Sequence, residues 1–237
     1  MDLAGALAVV TGATAGIGRA IAFALGRSGA RLAICARQAS NVDATLRELK
    51  AAGIDAVGMA CDVSDPARVT AFARFVSLER GAARILVNNA GLAHFKPLAA
   101  LTLDEWDEMM AVNVRSLYLV TRAFLAGMSG AGGGTIVNVA SLAGKNGVEG
   151  GTGYCASKHA VLGFSRALML EVRKQLVRVV AICPGSVDTG FGDRASRPRA
   201  NRDRVLQPDD VAQAVLATLT AADRAIVSEL DIRPTNP

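Results

Sequence analysis

The sequence predicts an α/β fold: one doubly wound, seven-stranded parallel sheet with helices on both faces. Three observations predict it. Short apolar runs alternate with helical stretches along all 237 residues, the pattern of repeated strand–helix–strand crossovers. Hydrophobic residues make up 51% of the chain and aromatics only 4%, a composition suited to small helices packed closely on a sheet that is buried on both faces. Glycines, amides and hydroxyls gather just after the apolar runs, where ligands bind on such sheets. No repeat or linker divides the chain, so residues 1–237 read as a single domain.

Leu7 to Val10 is the first strand. The residues before it are apolar but include Asp2 and no basic leader, so they read as a strand approach rather than a signal peptide. Thr11-Gly12-Ala13-Thr14-Ala15-Gly16-Ile17-Gly18 follows, and Arg19 to Leu25 reads as a helix. Strand, glycine-rich turn and helix are the context a dinucleotide fingerprint requires. The glycines let the backbone approach a pyrophosphate, and the helix start supplies free N–H groups and partial positive charge. The spacing is one residue longer than G-x-G-x-x-G, and a turn without a ligand is the plainer alternative.

Arg31 to Ala36 is the second strand. No acid stands between Arg19 and Val42, so the carboxylate that usually holds the ribose of NAD is missing. Arg37 occupies that place. A guanidinium there pairs with a 2′-phosphate, which favours NADP(H) and leaves NAD(H) as the lesser possibility; the alternative is a solvated loop arginine. Asn41 to Ala52 is helical and Ala56 to Cys61 is the third strand. Asp62-Val63 closes that strand with a carboxylate able to accept from an adenine amino group. Asp65-Pro66 opens a helix with proline at its first position, running to about Arg80. Arg84 to Val87 is the fourth strand, and Asn88-Asn89-Ala90-Gly91 gives it a small, amide-rich end against which an adenosine can lie.

Thr102 and Glu105 form a capping box for a long helix to about Leu125. Asn113 lies inside it, a poor interior residue because its amide competes for backbone bonds; a tolerated surface asparagine is the alternative. Gly127 to Gly134 reads as a loose loop, Thr135 to Ala140 as the fifth strand, and Ser141 stands at its end. Thirteen residues later comes Tyr154-Cys155-Ala156-Ser157-Lys158. The apolar spacing of Ala160, Val161, Phe164 and Leu168 makes this a helix, so Tyr154 and Lys158 share a face one turn apart. An ammonium beside a phenol stabilises the phenolate and lowers the tyrosine pKa from roughly 10. Such a phenol can exchange protons with a substrate oxygen near neutral pH; taken alone, the pair reads more simply as an exposed tyrosine and lysine on a solvated helix face. Leu176 to Ile182 is the sixth strand, Gln207 to Leu219 the last full helix, and Ile226 to Ile232 the seventh strand.

Cys35, Cys61, Cys155 and Cys183 are scattered, and only His94 and His159 accompany them. That pattern indicates reduced thiols in a cytosolic protein and no metal site. No apolar run reaches the roughly 18 to 20 residues of a membrane span. Much of the net charge of +5 is local: five arginines (Arg194, Arg197, Arg199, Arg202, Arg204) face only Asp193 and Asp203. The charge is therefore no general nucleic-acid surface.

Taken together, Thr11-Gly12-x-x-x-Gly16-Ile17-Gly18, Asp62-Val63, Asn88-Asn89-Ala90-Gly91, Asn113, Ser141, Tyr154-x-x-x-Lys158 and Pro184-Gly185-x-Val187-x-Thr189 resemble the short-chain dehydrogenase/reductase family. They cover nearly the whole chain in the family's order, and look most like its 3-oxoacyl-(acyl-carrier-protein) reductase branch. The resemblance implies a Rossmann fold and a site in which Tyr154 is the general acid or base. Lys158 would tune Tyr154 and hold the nicotinamide ribose, Ser141 would orient the substrate oxygen, and Asn113 would hold a relay water. It further implies coenzyme contacts at Gly12, Thr14, Gly16, Ile17 and Gly18, at Asp62 and Val63, at Asn89, Ala90 and Gly91, at Tyr154 and Lys158, and at Pro184, Gly185, Val187 and Thr189. The product of this reading is an NADP(H)-dependent, cytoplasmic oxidoreductase acting on a carbonyl or secondary alcohol. A homotetramer or homodimer would form through the helices Thr102–Leu125 and Thr152–Val172. The arginine-rich stretch at about 190–207 falls where the family places its substrate lid. Its arginines either recognise an anionic substrate or coenzyme phosphate, or are solvated. His94 reads as a bystander more readily than as a pocket residue, and Met109 and Met110 as packing. The tail after the seventh strand is proline-flanked where the family has glycines. Two other readings remain: a silent dinucleotide-binding sensor, which would be expected to carry a damaged Ser–Tyr–Lys set, and an epimerase or dehydratase, whose relatives are usually longer.

Overall fold

The computed structural model describes residues 2–192 and 204–235. Seven strands form one sheet in the order β3-β2-β1-β4-β5-β6-β7, every neighbouring pair parallel. They are β1 (Leu7–Thr11), β2 (Arg31–Ala36), β3 (Ala56–Ala60), β4 (Ile85–Asn88), β5 (Gly134–Val139), β6 (Val177–Pro184) and β7 (Glu229–Ile232). The helices are α1 (Gly16–Arg27), α2 (Ala39–Ala51), α3 (Pro66–Arg80), α4 (Leu103–Met110), α5 (Ser116–Gly130), α6 (Thr152–Val172) and α7 (Pro208–Leu219).

Strand pleating sorts the core into two layers. Ala8 and Val10 of β1 face the layer built with Ala20, Ile21 and Leu25 of α1 and Val211 and Val215 of α7. Leu7 and Val9 face the other, with Phe72 of α3, Phe124 and Met128 of α5 and Leu168 of α6. A one-residue slip of β1 would exchange the two sets, so register and core specify each other. The chain steps from β1 outward to β3, returns to β4 beside β1, then continues the other way. The carboxyl ends of β1 and β4 therefore flank the switch point where such sheets bind ligands.

Three expectations are corrected. The helix from Thr102 to Leu125 is not continuous: the Thr102–Glu105 capping box starts α4, a five-residue π turn (Ala111–Arg115) follows, and α5 begins at Ser116. The cause is Asn113. Its side chain is drawn inward to bond Leu92 and Ser157, and the extra residue in that turn makes room, as π bulges do at functional sites. The loose loop at Gly127 to Gly134 is also largely absent, because α5 runs through Gly130 and Gly134 already belongs to β5. Burial of Phe124 and Met128 outweighs the roughly 1 kcal/mol that each helical glycine costs. β7 is shorter than read, starting at Glu229.

Cys35, Cys61 and Cys183 are buried, Cys155 is half-buried, and none is in a disulfide. No helix among the described residues is long and apolar enough to cross a membrane.

Candidate active site

The end of β1 is latched to the end of β4. The Thr11 hydroxyl accepts from the amides of Asn89 and Ala90, both at 3.1 Å. Asn89 Nδ2 donates to the carbonyls of Thr11 (3.0 Å) and Gly12 (3.1 Å). Asn89 thus shapes the glycine turn with the amide that the sequence offers to a ligand. Gly12 has φ +63, and a Cβ on Gly18 would lie 2.3 Å from both the Gly12 carbonyl and Asn89 Nδ2, so neither position tolerates a side chain. α1 starts at Gly16 with no side-chain cap and no acid in its first turn. The first-turn amides of Gly16, Ile17 and Gly18 have no intrahelical partner. Thr14 sits half-buried in the same turn. Backbone this closely packed, with uncapped amides facing the crevice, fits a pyrophosphate.

The segment after β6 closes on that turn. Gly185 N–H donates to the Ile232 carbonyl at 2.8 Å, and Val187 bridges to Leu206. Thr189 Cγ2 lies 3.2 Å from where a Gly16 Cβ would stand. Pro184, Gly185, Val187 and Thr189 are thereby brought to the same edge as the glycine turn. Arg204 begins the return to α7, while Arg194, Arg197, Arg199 and Arg202 lie outside the described residues.

Arg37 follows β2 with its guanidinium mostly exposed, Nη1 being 3.9 Å from Glu108 Oε1. Glu108 in turn sits 2.8 Å from His94 Nε2. Asp62 follows β3, and its Oδ1 accepts from the Ser64 amide (2.9 Å) and hydroxyl (2.7 Å). Partial burial would raise its pKa, but these bonds together with Arg37 and Arg115 hold the carboxyl below its usual range. Val63 beside it is buried.

Ser141, Tyr154, Lys158 and Asn113 converge at the ends of β4 and β5. Ser141 caps a short 3-10 turn (Leu142–Gly144), its hydroxyl accepting from the Ala143 amide at 3.1 Å. Ala143 packs in one buried cluster with Tyr154, Met109 and Ala93. The Tyr154 ring is flanked by Phe95 (centroids 5.3 Å apart) and Phe191 (5.9 Å). Lys158 is 5% exposed. Its Nζ lies 5.8 Å from the Tyr154 ring centroid and donates to the Val139 carbonyl at 2.9 Å. Burial pushes its pKa down to about 8. Asn113 Oδ1 accepts from Leu92 N–H, and Nδ2 donates to the Leu92 carbonyl and Ser157 Oγ, all at 2.9 Å. The Asn113 amide is therefore committed to the scaffold. Beneath Lys158 a cavity of about 10 Å³ is lined by Thr11, Asn88, Asn113 and Ser116, the size of a single water site.

The sequence reading quoted Thr11 without its latch on β4, and missed Glu108, Phe95 and Phe191. Nothing in the spacing of Glu108 on the exposed face of α4 marks it. The rings had one signal: with ten aromatics in the chain, three of them meet at this point.

The model of a family described as short chain dehydrogenase matches residues 6–200. The 3-oxoacyl-[acyl-carrier-protein] reductase FabG of Pseudomonas aeruginosa is 39% identical over 206 residues, covering 87% of this chain and 83% of its own. Among solved structures, a metagenomic short-chain oxidoreductase in complex with NADP is 40% identical, with a TM-score of 0.86 and full coverage of both chains. An alcohol dehydrogenase from the archaeon Thermococcus sibiricus, complexed with 5-hydroxy-NADP, is 33% identical with a TM-score of 0.90, covering 98% and 97%.

Proposed function

Because the chain belongs to the short chain dehydrogenase family, we propose that it is an NADP(H)-dependent oxidoreductase interconverting a carbonyl compound and a secondary alcohol, 3-oxoacyl thioesters being the first substrates to test. The observation that carries this reading is the placing of the Tyr154 phenol one helical turn from the buried Lys158, beside the turn capped by Ser141. The bound coenzyme supplies or accepts the hydride. The chain's own groups do the rest. Tyr154 Oη gives a proton to the carbonyl oxygen in reduction and takes it back in oxidation. The Lys158 ammonium favours the phenolate and holds the nicotinamide ribose hydroxyls. Ser141 Oγ orients the substrate oxygen, while Phe95 and Phe191 exclude water around the phenol.

Asn113 acts here through its backbone. Its side-chain amide is engaged with Leu92 and Ser157, so the relay water falls to a carbonyl of the π turn and to the small polar cavity below Lys158. A lysine with a pKa of about 8 passes protons along such a water near physiological pH. The uncapped α1 amides and the glycine turn would hold the pyrophosphate, Asp62 and Val63 the adenine, and Arg37 the 2′-phosphate. A silent sensor would have no use for this set, and Ser141, Tyr154, Lys158 and Asn113 are all present in the chain.

The coenzyme assignment is tested by oxidation of NADPH and NADH across a carbonyl panel that includes acetoacetyl thioesters. NADPH is expected to be preferred, and Arg37→Ala to weaken NADPH binding about 10- to 30-fold while leaving NADH within twofold, the loss expected for one charge-assisted phosphate contact. Equal loss for both coenzymes, or NADH as the better substrate, overturns the role of Arg37. We further place the protein in the cytoplasm as a homotetramer or homodimer paired through α4–α5 and α6, whose outer faces expose Leu103, Tyr118 and Leu170. Sedimentation at micromolar concentration should give two or four chains; a monomer refutes the pairing.

A further inference from the structure

We propose that Lys145 and Glu229 are positioning residues that clamp the Ser141 turn to the edge of the sheet and so set where the Ser141 hydroxyl stands relative to Tyr154. This rests on the catalytic reading given above and goes past it to residues remote from the reacting atoms.

Lys145 is the first residue after the turn that Ser141 caps, and its N–H donates to the Leu142 carbonyl at 2.9 Å. Its ammonium reaches β7, where it lies 2.5 Å from Glu229 Oε1 and also bonds Asp231. Glu229 holds a second cation: Arg166 of α6 donates from Nε at 3.1 Å, with Nη2 3.0 Å from the same oxygen. Arg166 lies two turns beyond Lys158 on the helix that carries Tyr154. One carboxylate on β7 is thus tied to the Ser141 turn on one side and to the catalytic helix on the other.

The turn has no slack between these ties. Gly144 is pressed on α6 so closely that a Cβ there would stand 2.7 Å from the Lys158 carbonyl oxygen. The inner side of the turn is therefore set by van der Waals contact and the outer side by the ion pairs. Lys145 and Glu229 are only 26% and 21% exposed at their side chains, so water screens this pair less than an ordinary surface pair. Glu229 responds as a carboxylate held this way should: the hydrogen bond from Lys145, ahead of Arg166, keeps its pKa below the usual range against partial burial. Cys183, Glu229 and Asp231 lie close enough together to face a metal ion. Lys145, Arg166 and Arg233 already pair with the two carboxylates, and burial pushes the Cys183 thiol up to about 11, so the cluster is a clamp and not a cation site.

Small displacements of a group that orients substrate cost rate steeply, up to about 100-fold for 1 Å. Lys145→Met, which keeps the stem and removes the charge, is therefore expected to lower kcat about 10-fold while KM and the NADPH dissociation constant stay within twofold. Lys145→Arg restores most of the rate. The deciding measurement is a double-mutant cycle on the carbonyl compound turned over in the panel. If Lys145 acts through Ser141, Lys145→Met changes kcat less than twofold once Ser141 is alanine. An unchanged kcat in the single variant, or the same fractional loss in both backgrounds, overturns the proposal. Should Lys145→Met fail to fold, Glu229→Gln removes the same ion pair and is read in the same cycle. If Ser141→Ala itself leaves kcat intact, the catalytic reading fails instead, so the two failures are told apart.

Discussion

Tyr154→Phe is expected to lower kcat by roughly two to four orders of magnitude and to leave folding and NADPH binding almost untouched. The separation follows from where the ring lies. Tyr154 is 8% exposed and packed between Phe95 and Phe191, contacts that a phenylalanine ring of the same shape keeps. Only the hydroxyl is lost, and with it the proton that the substrate oxygen needs in the transition state. Ser141 and the hydride donor remain, which is why the residual rate should be measurable. Turnover assayed beside NADPH fluorescence titration checks both halves. A variant that retains more than a tenth of its kcat removes Tyr154 from the chemistry; one that loses coenzyme binding in proportion gives the tyrosine a binding role only.

The elements that sequence made legible are those whose signals are local. Strand, glycine turn and helix at residues 7–25, the Asp65-Pro66 helix start and the Thr102–Glu105 capping box each depend on residues within a few positions of one another, and each is present, with α1 running Gly16–Arg27 where the sequence reads as helix from Arg19 to Leu25. The i, i+4 placing of Tyr154 and Lys158 is of the same kind. What escaped depends on distant partners. The π turn at Ala111–Arg115 exists because Asn113 is claimed by Leu92 and Ser157, 21 and 44 residues away. Local propensity marks Asn113 as a misfit in a helix but not what the misfit is for. The Thr11 latch on Asn89 and Ala90 spans 78 and 79 residues, and Lys145 meets Asp231 across 86; neither leaves a period or a spacing to be found. Gly127 to Gly134 shows the opposite error, where a local signal for a loop lost to the burial of Phe124 and Met128.

Lys158→Met separates the cost of the site from its use. The ammonium is buried, and desolvation lowers its pKa from 10.5 to about 8. The sign of the resulting pH dependence is fixed by proton counting. Below pH about 8 the folded and unfolded chains both hold the proton, and the folded state bears the full cost of the buried charge. Between about 8 and 10.5 the unfolded chain binds more protons than the folded one, so stability rises with pH across that window. Integrated over it, the rise is on the order of 3 kcal/mol at 1.36 kcal/mol per unit. Methionine has no such charge and no such rise. Part of the gain at pH 7 is offset, because the Val139 carbonyl loses the 2.9 Å bond from Nζ, at about 1–3 kcal/mol for a buried acceptor left alone. The variant should therefore be at least as stable as the wild type at pH 7, and should lose ground to it by pH 10, in urea unfolding at the two values. Its kcat should fall about 100-fold or more, since the phenol is left without the charge that makes it a good proton donor near neutral pH. Unfolding curves that move in parallel with pH would mean that Lys158 is not held charged in a buried site. The stability lost to that buried charge is what the fold gives up to keep an ammonium one turn from the Tyr154 phenol.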